Sequence, residues 1–217
     1  NVIVERLFDI DMVITAGPLV SEYAVQRTSF PKPTIVPVIV DARAQRVPRQ
    51  KDDSSGVDNL VYLDPFTDIG RDLRIFRDHV TFKHLAVVAD REFIAALAGM
   101  DGRLLSAAED LGIELTIIPA TSQPSEALLA LPADADAVLI LPLLRFSSAS
   151  IRELADGLIA RGLPSFSIFG KPDVEQGILL SATSGADLTR IARRIALNVQ
   201  QILLGAKASE LNVRFPP

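Results

Sequence analysis

The chain contains no cysteine and only two histidines in 217 residues. The first absence excludes disulfides, thiolate metal sites and thiol nucleophiles, whatever the compartment. The second leaves His79 and His84, five residues apart and outside any metal-binding spacing, with no obvious nucleophile to serve. Both read as ordinary structural residues. Although 48% of the residues are hydrophobic, no stretch of about 18 uncharged apolar residues occurs, so no membrane span is predicted. An excess of positive charge is missing as well: the net charge of −5 argues against a nucleic-acid surface. No G-x-G-x-x-G follows a strand, and neither a Walker A loop nor a G-x-S-x-G elbow is present. A non-enzyme without cofactor or metal is expected. The opening "NVIVERLF" carries no basic and apolar leader, which fits a cytoplasmic chain or one whose leader has been removed.

What is present is a rhythm. "HLAVVAD" (84–90), "IELTIIPA" (113–120) and "DAVLILPL" (136–143) are apolar runs of the kind that strands buried on both faces require. Helical stretches separate them: 91–112, with Phe93, Leu97, Met100, Leu104 and Leu111 on one face, then 125–131, then "SSASIRELADGLIARG". Alternating strands and helices predict a parallel sheet covered by helices, here a complete lobe over residues 83–170. That segment holds 6 Lys/Arg against 11 Asp/Glu, so it carries the whole net charge and reads as a separate unit.

The first part repeats the pattern less regularly. Strands are expected at 11–17, 34–40 and 59–64, and helices at 19–27 and 67–80, the latter with Ile69, Leu73, Phe76 and Val80 on one face. The segment "DARAQRVPRQKDDSSGVD" has no apolar period, and a loop of that length is functional or mobile. Its Arg43, Arg46, Arg49 and Lys51 suit either an anionic partner or plain solvation. Near the end, Leu188, Ile191, Ile195, Val199 and Ile202 mark a long helix, and 210–215 a last strand. Between the two parts, "SFSIFGKPDVEQGILLSAT" places two strand-like runs in succession. The expected reason is a crossing between lobes, giving residues 1–82 plus 171–217 as an incomplete first lobe, with a hinge and a cleft.

This order of elements resembles the type I periplasmic-binding-protein fold, and within it the ABC-transporter substrate-binding proteins that include tryptophan- and tyrosine-binding members. The residues that carry the resemblance are "DMVITAGPLVSEYA", "PTIVPVIV", "KHLAVVAD" and the tail "EQGILLSATSGADLTRIARRIALNVQQILLGAKASELNVRF", within residues 9–215. The resemblance implies a two-lobed α/β protein with parallel sheets flanked by helices. It also implies a periplasmic or extracytoplasmic location, membrane-anchored in the full-length protein, an amino acid or similar small molecule as ligand, and an ABC membrane component as partner. Two strand–helix units that begin the family pattern are absent, and "VDNLVYL" stands where an Asn-x-Thr-Gly turn is usual. The alternative is an interaction or sensory domain of an envelope assembly such as an outer-membrane efflux channel fusion. A third reading, the effector-binding core of a repressor, requires a helix-turn-helix upstream. An exposed sheet edge in the first lobe also suits a homodimer.

Ligands of open α/β sheets sit at the carboxyl ends of the strands. That rule selects Gly17, Asp41 and Phe66 in the first part, then Asp90, Arg91, Thr121, Leu144, Arg145, Phe146 and Phe169 in the second. Arg91 and Arg145 suit a carboxylate through forked hydrogen bonds, and the phenylalanines suit an apolar or aromatic ligand. Taken singly, each arginine reads more readily as a solvated rim residue and each phenylalanine as core; only as a group facing a cleft do they weigh evenly as a ligand site. Ser147 and Ser148 suit a ligand or a helix N-cap.

Overall fold

The computed structural model describes residues 9–15, 17–37, 39, 42, 45–64, 69–96, 100–182 and 185–215. They form an α/β protein of two compact units, residues 1–67 with 188–217, and residues 68–187. Among the described residues no helix is long and apolar enough to cross a membrane.

The second unit is a four-stranded parallel sheet in the order β5-β4-β6-β7. Its strands are β4 (His84–Asp90), β5 (Glu114–Ala120), β6 (Ala137–Ile140) and β7 (Ser165–Ser167). β4 is central and pairs with β5 over seven positions, from His84↔Glu114 to Asp90↔Ala120. Leu85 to Ala89 are fully buried without alternation, as a strand covered on both faces must be. The Asp136 carboxylate accepts the Lys83 and His84 N–H groups at 2.9 Å at the start of β4, which holds its pKa below the ordinary aspartate value. One face of the sheet packs Ala86, Val88, Ile118, Val138 and Ile140 against Ile151, Leu154 and Leu158 of the helix Ser148–Ala160. Ser147 caps that helix, its Oγ accepting the Ser150 N–H at 3.1 Å.

In two places this unit differs from the sequence expectation. The helix Ile69–His79 belongs with the second unit, not the first. Its Phe76 ring stands 4.8 Å from that of Phe82 and 5.3 Å from that of Phe166 in β7. The apolar stripe foretold a buried face, but not which sheet would cover it. The segment after Phe169 does not leave the unit either. It makes one helical turn (Lys171–Val174), and Leu180 then pairs in parallel with Phe166 of β7. The Ser167 N–H donates to Leu180 O at 2.9 Å and the Leu180 N–H to Ser165 O at 3.1 Å, while Ile178 enters the core. The two successive strand-like runs are therefore neighbours in one sheet. A buried polar contact holds the turn: Ser167 Oγ donates to Asp173 Oδ2 at 2.5 Å, and burial raises the Asp173 pKa against the opposing effect of that hydrogen bond.

The first unit has three parallel strands in the order β1-β2-β3, namely β1 (Val13–Ile14), β2 (Thr34–Val36) and β3 (Leu60–Tyr62). Helix α1 (Pro18–Val25) follows β1, and the long helix Gly185–Leu203 lays Val199 and Ile202 against the core of Ile35, Val36, Leu60 and Val61. The expected final strand forms two single bridges, Ser54↔Asn212 and Asp64↔Arg214, after a 3-10 turn at Ala208–Glu210. The loop between β2 and β3 is tied down through its described part. Tyr62 Oη donates to Pro48 O at 2.9 Å, Gly56 N–H to Ser209 O at 3.1 Å, and Val213 N–H to Asp53 O at 2.7 Å.

Candidate functional site

The sheet order fixes what lies along the carboxyl edge of the second unit: Thr121 after β5, Asp90 ending β4, Leu144 and Arg145 after β6, and Phe169 after β7. Asp90 is only 1% exposed. Its Oδ1 accepts the Glu92 N–H at 2.9 Å, the way an aspartate opens a helix, here Arg91–Ala96. Its own N–H donates to Pro142 O at 3.2 Å, which joins the end of β4 to the loop after β6. That loop turns at Leu143, whose carbonyl accepts the Phe146 N–H at 3.0 Å, and so returns Arg145 over Asp90. Arg145 Nε lies 3.5 Å from Asp90 Oδ2, and Arg145 Nη2 pairs with Glu92 Oε1. An arginine thus stands at the centre of the edge, in ion-pair range of one buried and one exposed carboxylate, while Asp90 Oδ2 itself has no hydrogen-bond partner among the described residues.

The remaining candidates divide. Leu144 and Phe169 are exposed on this edge, Phe169 by 49%, with the Phe169 N–H donated to Ser167 Oγ at 3.0 Å. Arg91 is exposed at the start of its helix. Phe146 turns toward the core cluster of its own unit. Thr121 is committed to the start of the next helix, donating to Glu126 Oε2 at 2.5 Å and accepting the Gln123 N–H at 3.3 Å. Sequence reasoning passed over Glu92. The signal available was its place two residues beyond a strand-ending aspartate, where a first helical turn folds back over the strand end. His84 sits at the opposite end of β4, bonded to Thr116 Oγ1 at 2.9 Å and 3.2 Å from Asp134 Oδ2.

In the first unit Asp41 and Phe66 lie outside the described residues. Gly17 takes φ 98° before α1, a left-handed conformation that glycine adopts without strain, and its carbonyl accepts the Ser21 N–H at 3.1 Å. Behind it, Thr15 Oγ1 and Ser21 Oγ share a buried hydrogen bond of 3.2 Å. The buried Glu22 carboxylate is held by amides, Gln26 Nε2 at 2.9 Å and Gln45 Nε2. Asp64, after β3, pairs with Arg49 at 3.1 Å. Burial, helped by the Asp64 charge, pushes the Tyr62 phenol up to about 12.

No protein-family model matches the chain, and no curated protein matches its sequence. Solved structures do match its fold. A conserved domain protein of Vibrio cholerae superposes with TM-score 0.76 at 17% identity, over 98% of this chain and 71% of that chain. The ABC domain of Streptococcus pneumoniae in complex with L-Trp gives TM-score 0.73 at 13% identity, over 99% and 72%. A LacI family transcriptional regulator of Bifidobacterium animalis gives 0.61 at 14%, over 100% and 78%. The fold is therefore that of the type I periplasmic-binding-protein-like domains, a class that holds both substrate-binding proteins and regulators.

Proposed function

We propose that the chain is a non-catalytic, extracytoplasmic solute-binding domain of an ABC-type uptake system. Its ligand is a small molecule bearing a carboxylate, such as an amino acid, and its partner is the membrane component of the transporter. The observation that carries this reading is Arg145. It stands at the carboxyl edge of the second unit, in ion-pair range of Asp90 and Glu92, and is flanked along the edge by the exposed Leu144 and Phe169. A guanidinium recognises a carboxylate by geometry as well as charge, and the apolar neighbours suit an apolar side chain. The fold shared with a domain in complex with L-Trp is consistent with such a ligand.

The test is a thermal-shift screen of the twenty L-amino acids and a set of small acids against the full-length protein, followed by calorimetry. A ligand is expected to raise the melting temperature, and Arg145→Ala to cost about 1.5–3 kcal/mol of its binding, as for hydrogen bonds to a charged group. If no amino or small acid shifts the melting point, the reading fails. A second reading, the effector-binding part of a regulator, is consistent with the fold shared with a LacI family transcriptional regulator. Under that reading a ligand shifts the full-length protein on its DNA rather than on a transporter.

A further inference from the structure

We infer that Asp173 is a positioning residue for Phe169: through the Ser167 hydroxyl and through its own N–H it fixes the backbone that carries the Phe169 ring on the carboxyl edge. The use of that ring rests on the solute-binding reading above, while the positioning itself is tested without a ligand. Three hydrogen bonds carry the inference. The Phe169 N–H donates to Ser167 Oγ at 3.0 Å, and Ser167 Oγ donates in turn to Asp173 Oδ2 at 2.5 Å. One residue on, Gly170 O accepts the Asp173 N–H at 3.2 Å. The backbone on both sides of the Phe169 side chain thus leads to Asp173. Gly170 lets the chain turn back to it, at φ 97° and ψ −153°, a conformation open to glycine.

Burial separates the support from what it supports. Ser167 is fully buried and Asp173 9% exposed, whereas Phe169 is half exposed. A ring on a loose backbone loses freedom when it meets a ligand, and that loss weakens binding; a ring held in advance avoids it. Ionised Asp173 can only accept, so the Ser167 hydrogen points to it and the oxygen lone pairs are left for the Phe169 N–H. Protonated Asp173 can itself donate, and the charge-assisted bond that orders the chain is lost. The hold on Phe169 is therefore strongest with Asp173 ionised. It weakens as pH falls through a pKa that burial raises above the ordinary carboxylate value. The charged groups nearby are engaged with one another. Lys171 and Glu175 of the same turn pair at 3.1 Å, and Arg152 of the facing helix donates to Glu175 O at 3.4 Å. Strand β7 brings no charge.

The chain has no tryptophan, so Phe169→Trp places a single fluorophore at this exposed position. Time-resolved anisotropy reads the share of rapid ring motion, and acrylamide quenching reads access to the ring. At pH 7, adding Ser167→Ala is expected to raise the mobile share about two- to ten-fold, the equilibrium weight of one lost hydrogen bond. With Ser167 in place the mobile share should rise as pH falls, with a midpoint above the ordinary carboxylate value, while far-ultraviolet circular dichroism stays constant. Asp173→Asn keeps an acceptor but cannot ionise, and it should abolish that transition. If Ser167→Ala does not fold, the pH profile with and without Asp173→Asn decides alone. A changed melting point with unchanged motion at position 169 and no pH transition overturns the inference and leaves the solute screen standing. Loosening at position 169 together with a negative screen removes the transport reading and keeps the positioning.

Discussion

The two units close their cores by different routes. The second is one unbroken stretch, 68–187, whose central strands pair over seven positions. The first has strands of two and three residues and joins residues 1–67 to 188–217. Long apolar strands nearby in sequence bring their own hydrogen-bond ladders. Short ones need help from side chains and from a distant tail, and each such closure costs chain entropy that local pairing avoids. The help is visible: Asn59 Nδ2 donates to Phe30 O at 2.8 Å, Ser55 Oγ to Leu60 O at 2.5 Å, and Arg194 Nη2 to Asn212 O at 3.0 Å. Charge divides along the same line. The first unit has 12 Lys/Arg against 10 Asp/Glu and the second 10 against 17, so the surplus negative charge lies wholly in the second.

This contrast can be broken most sharply in the aromatic cluster. Phe76→Ala should cost about 3–5 kcal/mol, because Phe76 is fully buried between Phe82 and Phe166. Hydrogen exchange should show the loss in amides of β4 to β7 and not in β1 to β3. The counterpart, Leu60→Ala, should cost about 2–5 kcal/mol with the loss in the first unit's amides. Equal loss of protection everywhere in either variant would show that the units unfold as one.

A pair of changes at polar sites sharpens the comparison. Tyr62→Phe should cost about 1 kcal/mol, since only the hydrogen bond to Pro48 is lost. In the wild type, ultraviolet titration should show the Tyr62 phenol keeping its proton to about pH 12. Because the folded state holds that proton longer than the unfolded one, stability should fall as pH rises above 10. Asp173 has the same sign at acid pH. Its raised folded pKa means that stability declines as pH rises from the ordinary carboxylate value through the folded one. Asp173→Asn should therefore melt higher than the wild type at pH 7, with the gain shrinking toward pH 4. A lower melting point at pH 7 would show that the Ser167 hydrogen bond outweighs the burial. The smallest effect is expected at Arg49. Its links to Asp53 and Asp64 are open to water, so Arg49→Ala should cost about 0.2–1 kcal/mol, and less in high salt.

The positions along the carboxyl edge of the second unit were accessible to sequence reasoning because one rule, strand ends, depends only on where apolar runs stop. Asp90 and Arg145 followed from "VVAD" and "LPLLRF", and the structure joins them. Glu92 did not follow, because its role depends on a helix folding back over its own strand. Phe146 and Thr121 were drawn to the edge by the same rule, yet the first packs inward and the second starts a helix. A rule about position says nothing of where a side chain points.

The sequence by itself determined the parallel sheet of the second unit, since unbroken apolar runs alternating with amphipathic helices have few other stable arrangements. It also determined where edge residues would emerge. Only the tertiary structure decided to which sheet a helix or a strand belongs. The stripe of Ile69, Leu73 and Phe76 and the run at 178–180 need an apolar partner, and either unit could have offered one. The hydrophobic effect rewards burial without naming the neighbour. The choice came from specific contacts: Phe76 between Phe82 and Phe166, and Leu180 hydrogen-bonded between Ser165 and Ser167.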